Sequence, residues 1–303
     1  MNKVAVGYTL NGNLAEYILI QEEVLESGCL MPLPDDALPY FAVSMAEPIS
    51  CIYSAQERQI HILKKNPFAP REPKLGLLIG GTTVIIGAGA MGLMHAEMAL
   101  RFRPQNLLVC DKIPERLRRA QKILGDKARR AGVKLITVEA DALKDTLRQV
   151  TNGAMADDII LAVGIQAAQQ AALELLGNGG VANLFGGLPQ GQHLLQMSAI
   201  AVHYNEIKVV GSSGGAPSDL VAALRAIAKR DIDPGNYIYG VGSLKHAPEV
   251  LRGIKENRID GKVILYPHMR VENLTLVDYW DKSREEKFLD ENLYCVRVKS
   301  SGS

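Results

Sequence analysis

The stretch that decides the fold is Thr82-Thr83-Val84-Ile85-Ile86-Gly87-Ala88-Gly89-Ala90-Met91-Gly92. Its first five residues are all β-branched, which is typical of a buried strand, and a Gly-x-Gly-x-x-Gly loop follows directly. The run 93–102 can form a helix, the run 106–110 predicts a second strand, and Asp111 stands at the end of that strand. A site for a dinucleotide requires this order of strand, glycine loop, helix, strand and acid.

Each glycine of the loop has a separate physical task in that interpretation. Gly87 permits the tight turn, Gly89 lets the backbone approach a pyrophosphate, and Gly92 lets the helix pack closely on the strand. The helix then presents unpaired N–H groups to the phosphates. Taken alone, the glycine pattern could be an ordinary loop of small residues, so the surrounding strand, helix and acid decide the interpretation.

The acid at the end of the second strand indicates which dinucleotide is preferred. Asp111 can accept hydrogen bonds from the adenosine ribose hydroxyls, whereas the 2′-phosphate of NADP would meet its carboxylate. The sequence therefore favours NAD over NADP. Lys112 and Arg116 nearby weaken that preference.

Composition and charge exclude several classes of protein. The 303-residue chain is 47% hydrophobic and 22% charged, which is ordinary globular composition, and its net charge of +1 predicts no nucleic-acid partner. No apolar run approaches the roughly 20 residues of a membrane span, and no signal-peptide pattern is seen, so we expect a cytoplasmic protein without a membrane partner. The four cysteines are scattered without a Cys-x-x-Cys pair, so neither a disulfide framework nor a clustered zinc site is encoded.

Strands and helices keep alternating after Asp111, which predicts an α/β fold with a doubly wound parallel Rossmann sheet. The predicted strands are 133–138, 158–164, 180–187, 206–211 and 261–266, and the predicted helices are 114–131, 142–152, 166–177, 217–229 and 247–257. Ligands bind at the carboxyl ends of such strands, which places Gly164, Gly186 with Gly187, and Ser212 with Ser213 near the cofactor crevice.

The ends of the chain follow a different pattern. Residues 1–34 predict a β-rich opening of short strands and turns, with one strand over Leu14–Ile20. Residues 37–56 have helical spacing, with Glu47 at the entrance and Pro48 in the first turn. Residues 61–74 predict a surface connection, Ser218 predicts a helix N-cap, and the charged run 282–287 predicts a solvated surface helix.

From about Asn13 to Pro267 the chain resembles the medium-chain dehydrogenase/reductase superfamily, and it is most similar to the zinc-dependent polyol and sugar dehydrogenases of the L-sorbose-1-phosphate reductase type. Five segments in the right order carry the resemblance: Leu14–Tyr17, Ala46–Ser50, the glycine loop with Asp111–Leu117, Asn205–Ser212 and Asp260–Leu265.

The resemblance implies a hydride transfer between a nicotinamide and an alcohol, polyol, sugar or sugar phosphate, with a zinc ion polarising the oxygen. It implies that Glu47 is a catalytic zinc ligand, that Met91 touches the nicotinamide, that Asp111 and Arg116 hold the ribose, and that Lys262 lies near the pyrophosphate. It also implies a homo-oligomer. As alternatives, Glu47 is an ordinary acid in the first turn of a helix, Met91 packs behind the loop, and Lys262 ends a solvated strand.

The chain also departs from the family pattern. The family's GroES-like catalytic domain supplies a zinc-binding Cys and a Gly-His-Glu segment, and neither occurs here; a catalytic zinc needs about three protein ligands. We therefore expect residues 1–45 to be the remnant of a truncated GroES-like domain. Residues 46–213 would form the NAD-binding domain, and 214–303 a segment that returns to the catalytic domain.

Three functions remain open from the sequence. The first is a zinc-type, NAD-dependent polyol or sugar-phosphate dehydrogenase, ketose-phosphate reductases included, of which this is the C-terminal part. The second is a dinucleotide-binding module without catalysis, which the missing Cys and His ligands favour. The third is a zinc-free reductase of the same superfamily, against which the Glu47-Pro48 pair argues.

Overall fold

A computed structural model describes residues 5–33 and 37–292. It divides into two compact units, Met1–Ser44 with Pro234–Ser303, and Met45–Asp233. The second unit carries the glycine loop. Cys295 lies outside the described residues.

The helices and strands are numbered in chain order over the described residues. The α-helices are α1 (Glu22–Glu26), α2 (Tyr40–Ser44), α3 (Ala46–Glu57), α4 (Ala90–Ala99), α5 (Pro114–Ala131), α6 (Leu143–Val150), α7 (Gln166–Ala172), α8 (Ala199–Tyr204), α9 (Pro217–Ala228), α10 (Ala247–Lys255) and α11 (Lys282–Asn292). The strands are β1 (Ile60–Leu63), β2 (Glu72–Leu75), β3 (Thr82–Ile86), β4 (Asn106–Asp111), β5 (Lys134–Glu139), β6 (Ala156–Leu161), β7 (Leu176–Leu184), β8 (Lys208–Gly211), β9 (Ile238–Ser243), β10 (Lys262–Tyr266) and β11 (Thr275–Leu276).

The prediction of a doubly wound parallel sheet is confirmed. Six strands lie in the order β5-β4-β3-β6-β7-β8, and every neighbouring pair is parallel. Within this sheet, the first strand in sequence is β3, near the middle. The chain then adds β4 and β5 on one side of β3 and returns to add β6, β7 and β8 on the other side. The direction of winding reverses between β3 and β6, and ligands bind at such a switch point, outside the carboxyl ends of the strands.

The two faces of this sheet are covered differently. One face is an apolar core in which Val84, Leu108 and Ile159 pack with Leu143 and Leu147 of α6. The other face, under α3 and α4, buries polar side chains that are bonded to the covering elements. Asn183 Nδ2 donates to the Ala55 carbonyl at 2.8 Å, and Gln56 Nε2 donates to the His95 carbonyl at 2.9 Å. Both hydrogen bonds satisfy buried polar side chains where α3 packs on its neighbours.

The connection expected over 61–74 is instead an antiparallel hairpin of β1 and β2. His61 is buried, and its Nε2 lies 2.9 Å from Asp158 Oδ1. The other carboxylate oxygen of Asp158 accepts the Leu78 N–H at 2.7 Å. The sequence did not indicate this hydrogen-bonded pair, because its two residues are 97 positions apart.

The strand predicted over Leu14–Ile20 is wrong, because residues 14–20 form no strand. The described part of the opening, 5–33, contains the helix α1 and one isolated bridge between Val6 and Leu10. Tyr17 is 84% exposed and Leu19 is 83% exposed. The apolar pattern of this segment finds no neighbouring strand in the described chain, and a strand requires such a partner.

The prediction that Ser218 is the N-cap of a helix is also wrong. Helix α9 begins at Pro217, so Ala216 occupies the capping position, and the Asp219 carboxylate accepts the Ala216 N–H at 2.8 Å. Proline favours the first helical position because its ring fixes φ and it lacks an N–H to satisfy.

The unit built from both ends of the chain has a three-stranded sheet in the order β10-β9-β11. Helix α11 is not a fully solvated surface helix, because Glu285 is 2% exposed. The Glu285 carboxylate accepts the N–H groups of Tyr40 and Phe41, each at 2.8 Å, and the Tyr266 hydroxyl at 2.7 Å. Burial, reinforced by the bond to Glu285, raises the pKa of the Tyr266 hydroxyl well above its ordinary value.

Candidate dinucleotide-binding site

The glycine loop leaves β3 through a turn that only glycine adopts easily. Gly87 has φ +103°, and its N–H donates to the Cys110 carbonyl at 2.8 Å, which ties the turn to the end of β4. A Cβ atom at Gly87 would lie 2.6 Å from Val163 Cγ1. The position therefore excludes side chains both by its backbone angle and by the neighbouring loop after β6.

Gly92 packs directly against the turn at Gly87 that leaves β3. A Cβ atom there would lie 1.7 Å from the Gly87 carbonyl oxygen, far inside any allowed contact. Gly89 is the N-cap of α4 and has extended backbone, with Leu93 N–H donating to its carbonyl at 2.9 Å. Met91 lies half-buried in the first turn of the helix. The first N–H groups of α4 thus start directly beyond β3, where the switch point places a ligand.

Asp111, at the end of β4, is bonded to the glycine loop. Its Oδ2 accepts the Ala88 N–H at 2.7 Å, and its Oδ1 accepts the Ile113 N–H at 2.9 Å. Arg116 Nη1 lies 3.6 Å from Oδ2, so a positive charge faces the carboxylate. A carboxylate offers about four lone-pair sites, so the two backbone bonds do not saturate it.

The loops that follow β6 and β7 meet backbone to backbone at the same edge of the sheet. A Cβ atom at Gly164 would lie 2.6 Å from the Gly187 carbonyl oxygen, and one at Gly186 would lie 2.4 Å from the Val163 carbonyl oxygen. This close approach of the two backbones leaves no room for a side chain at either glycine, and their role at a cofactor stays a prediction.

Gln169 joins these two loops, and sequence reasoning missed it. The side chain is 1% exposed, and Nε2 donates to the Val163 carbonyl at 2.9 Å and to the Gly186 carbonyl at 2.6 Å. Nothing in Gln-Ala-Ala-Gln at 166–169 singles out the second glutamine. Only the fold shows that Gln169, and not Gln166, lies on the buried face of helix α7.

Glu47 lies in the first turn of α3, as expected, with an exposed side chain. The Cys51 thiol, one turn later, donates to Glu47 Oε1 at 3.4 Å. Within residues 5–33 and 37–292, no group of three or more His, Cys, Asp or Glu side chains could hold a metal ion. The described donors therefore do not make up a complete catalytic zinc site, which needs about three.

Lys262 lies in the other unit, where it begins β10 and pairs with Ile238 of β9. It is half-buried. Its role at a pyrophosphate stays a prediction.

No helix in the described part of the chain is long and apolar enough to cross a membrane.

His95 is a buried residue of α4 that touches no substrate-binding group described above. Neither ring nitrogen has a hydrogen-bond partner among the described residues, and the ring meets Phe185 edge-on at 4.4 Å between centroids. Burial lowers the pKa of His95 from its ordinary value to about 3. The ring is therefore neutral throughout the physiological range.

We expect this burial to make stability depend on pH. The unfolded chain binds a proton at His95 below pH 6.5, but the folded chain does so only near pH 3, so stability falls as pH drops through that window. The loss should approach about 1.4 kcal/mol per pH unit below 6.5. Urea unfolding of wild type and His95→Leu between pH 7.5 and 5 measures it. The difference between the two proteins should change with pH, and a constant difference would contradict the assignment.

Comparison with known proteins agrees with this geometry. Residues 90–229 match the family model described as zinc-binding dehydrogenase. The chain is 29% identical over 293 residues to mannitol-1-phosphate 5-dehydrogenase of Aliivibrio fischeri, covering 93% of this chain and 67% of that protein. It is 27% identical over 241 residues to L-sorbose 1-phosphate reductase of Klebsiella pneumoniae, covering 78% of this chain and 57% of that protein.

A solved structure shows the same fold. A zinc-binding dehydrogenase from Sinorhizobium meliloti 1021 bound to NADP aligns with a TM-score of 0.64 at 21% identity, covering 82% of this chain and 64% of that chain. The chain thus spans about two thirds or less of the length of each of these proteins. The expected fold class is confirmed: a parallel Rossmann sheet is combined with smaller sheets, as in zinc dehydrogenases that have a GroES-like domain. From its glycine loop, its strand order and these matches, the chain is similar to zinc-binding dehydrogenases, polyol and sugar-phosphate dehydrogenases among them, and residues 90–229 carry the match to that family's model.

Proposed function

We propose that this chain binds NAD and carries the cofactor half of a hydride transfer between the nicotinamide and a secondary alcohol of a polyol or sugar phosphate. The observation that carries the proposal is the geometry at the switch point. There, Gly87 turns the chain, Gly92 brings the first turn of α4 against that turn, and Asp111 closes the end of β4. The residues present fit a nicotinamide dinucleotide.

Binding and orientation are the tasks of the chain's own residues. The first N–H groups of α4 receive the pyrophosphate, and the lack of a side chain at Gly89 leaves the backbone accessible to it. Asp111 accepts the ribose hydroxyls while its bonds to Ala88 and Ile113 hold the loop in shape. When bound, the nicotinamide supplies or accepts the hydride.

The preference for NAD rests on charge at the adenosine ribose. The Asp111 carboxylate would repel a 2′-phosphate, whereas Arg116, 3.6 Å away, would attract one. Asp111 is bonded to the glycine loop through the Ala88 N–H, so we assign NAD. Competition between NADH and NADPH for the same chain measures the preference directly.

The substrate class follows from the relatives' names. The two curated relatives described above are named for sugar phosphates or polyol phosphates. We therefore propose a polyol, sugar or sugar phosphate as substrate for the protein to which this chain corresponds. Homo-oligomerisation remains a proposal from the resemblance, and light scattering coupled to size exclusion tests it.

We expect Asp111→Ala to weaken NADH binding by about tenfold to a hundredfold, because it removes charge-assisted hydrogen bonds to the ribose and to the loop. Titration of NADH fluorescence with the full chain measures the dissociation constant. Asp126→Ala is the matched control, because Asp126 is an exposed residue of α5 whose partner is Arg129. Equal affinity in wild type and Asp111→Ala would remove Asp111 from the site.

A further inference from the structure

The side-chain amide of Gln169 lies beneath the two loops that leave the sheet after β6 and β7. Its nitrogen carries two hydrogens, and one carbonyl oxygen of each loop accepts from it, that of Val163 at 2.9 Å and that of Gly186 at 2.6 Å. Because both neighbours are carbonyl oxygens, the nitrogen and not the oxygen of the amide must face them. The amide therefore uses both of its N–H groups to join the two loops.

The two loops present their other side to solvent. Val163 and Gly186 are half-buried, and the neighbouring Gly164 and Gly187 are exposed, whereas Gln169 is only 1% exposed. Gln169 thus fixes the shape of a surface that it does not itself reach. A ligand on that surface would contact the backbone of the loops and not the glutamine.

This surface borders the glycine turn on the side away from Asp111. The Gly87 N–H donates to the Cys110 carbonyl at 2.8 Å, and a Cβ atom at Gly87 would lie 2.6 Å from Val163 Cγ1. The turn therefore lies between the end of β4 and the loop after β6. A dinucleotide lies across such a switch point with one nucleotide on each side. With the adenosine ribose at Asp111, the nicotinamide nucleotide would lie over the loops that Gln169 joins.

The spacing of the two loops depends on the amide between them. The Gly186 N–H donates to the Leu161 carbonyl at 2.7 Å, and a Cβ atom at Gly186 would lie 2.4 Å from the Val163 carbonyl oxygen, so the backbones are in contact. A buried carbonyl oxygen that loses its donor is costly, so without the amide the loops would shift to let water reach both oxygens. Gln169 therefore holds the loops at one spacing before any ligand binds.

We propose that Gln169 is a positioning residue for the nicotinamide half of the bound dinucleotide. The inference rests on the proposed function, because it takes the dinucleotide as the ligand. Loops that are already held in place need not be ordered by the ligand, so less of the binding free energy is lost to ordering. The adenosine half, at Asp111 on the other side of the glycine turn, does not depend on this contact.

Gln169→Met tests the proposal, because methionine has a similar length but no N–H group to donate. Calorimetric titration of the full chain gives the dissociation constants for NADH and for ADP, which shares the adenosine and diphosphate of NADH but has no nicotinamide. We expect Gln169→Met to bind NADH about tenfold more weakly than wild type, and ADP within about twofold of wild type. A general loss of structure would weaken both ligands alike.

Gln169→Asn is the second variant. Asparagine keeps the amide but is one methylene shorter, so it can reach one of the two carbonyl oxygens at most. Its affinity for NADH should lie between those of wild type and Gln169→Met, with ADP binding again unchanged. ADP binding also shows that a variant is folded, so the asparagine variant decides the question if the methionine variant does not fold.

Gln170→Met is the matched control on the same helix. Gln170 exchanges two hydrogen bonds with the backbone of Gln196, each at 2.6 Å, so this variant removes as many bonds as Gln169→Met does. It should bind NADH and ADP as wild type does. Unchanged NADH binding in Gln169→Met, an equal loss of NADH and ADP binding there, or the same selective loss in Gln170→Met would each overturn the proposal.

The wild-type titrations separate this inference from the proposed function. Asp111→Ala should weaken NADH and ADP alike, because Asp111 serves the half that the two ligands share. If wild type binds NADH and the Gln169 variants keep its ratio of NADH to ADP affinity, the positioning role alone is rejected. If wild type does not bind NADH, the proposed function is rejected, and this inference with it.

Discussion

The Gly92→Ala variant should lose NADH binding and destabilise the sheet unit by about 3 kcal/mol or more. The added methyl carbon would lie 1.7 Å from the Gly87 carbonyl oxygen, and no side-chain rotation can separate them, because the backbone fixes both positions. Relief requires α4 to move off β3 by more than an ångström. That movement displaces the helix N-terminus from the phosphates and breaks the loop geometry that Asp111 holds. NADH titration and urea unfolding measure the two effects.

Gly125→Ala is the matched control for this substitution. Gly125 lies inside α5, and a Cβ atom there would meet only the flexible end of Gln121, at 2.9 Å from Nε2. Glycine costs up to about 1 kcal/mol in a helix relative to alanine, so this variant should be as stable as wild type or more so. If the two alanine variants behaved alike, close packing of α4 on the loop would not be what Gly92 provides.

The Asp158→Ala variant should lose about 3 kcal/mol of stability, because it leaves the buried His61 ring and the Leu78 N–H without their hydrogen-bond partner. Asp158 is 0% exposed, and it serves His61 at 2.9 Å and the Leu78 N–H at 2.7 Å. Burial is the main cause that raises the pKa of Asp158, and the contact with His61 opposes it. Urea unfolding at neutral pH gives the loss directly.

Glu174→Ala is the control for that prediction. Glu174 pairs with Lys144 across 3.6 Å, and both side chains are more than half exposed. Surface pairs of this kind contribute about 0–1 kcal/mol, so the variant should unfold nearly as wild type does. A loss at Asp158 as small as that at Glu174 would show that the β1–β2 hairpin is not held by this pair.

The sheet and its glycine loop could be predicted because their signals are local. β-branched runs, glycines at fixed spacing and Asp111 at a strand end all act within about 30 residues. The same is true of α5, whose polar and apolar residues alternate at helical spacing and whose end is marked by Gly132 at φ +72°.

Other features depended on partners that are distant in sequence. The strand expected at 14–20 has a suitable pattern, but a strand forms only with a neighbour, and none pairs with it in the described chain. The burial of His61, Gln169 and Glu285 could not be read from their surroundings in the sequence. Each is a polar residue held inside by groups that only the fold brings to it.

The contact at Glu285 has a consequence for the order of events during synthesis. Residues 45–233 form a continuous unit, which can fold as soon as it leaves the ribosome. The amides of Tyr40 and Phe41, made earlier, gain their carboxylate partner only when residue 285 has emerged. The first-made segment must therefore wait for the last-made helix. A chain truncated after residue 233 and released from the ribosome should have a sheet that resists protease, while residues 5–33 are still cleaved.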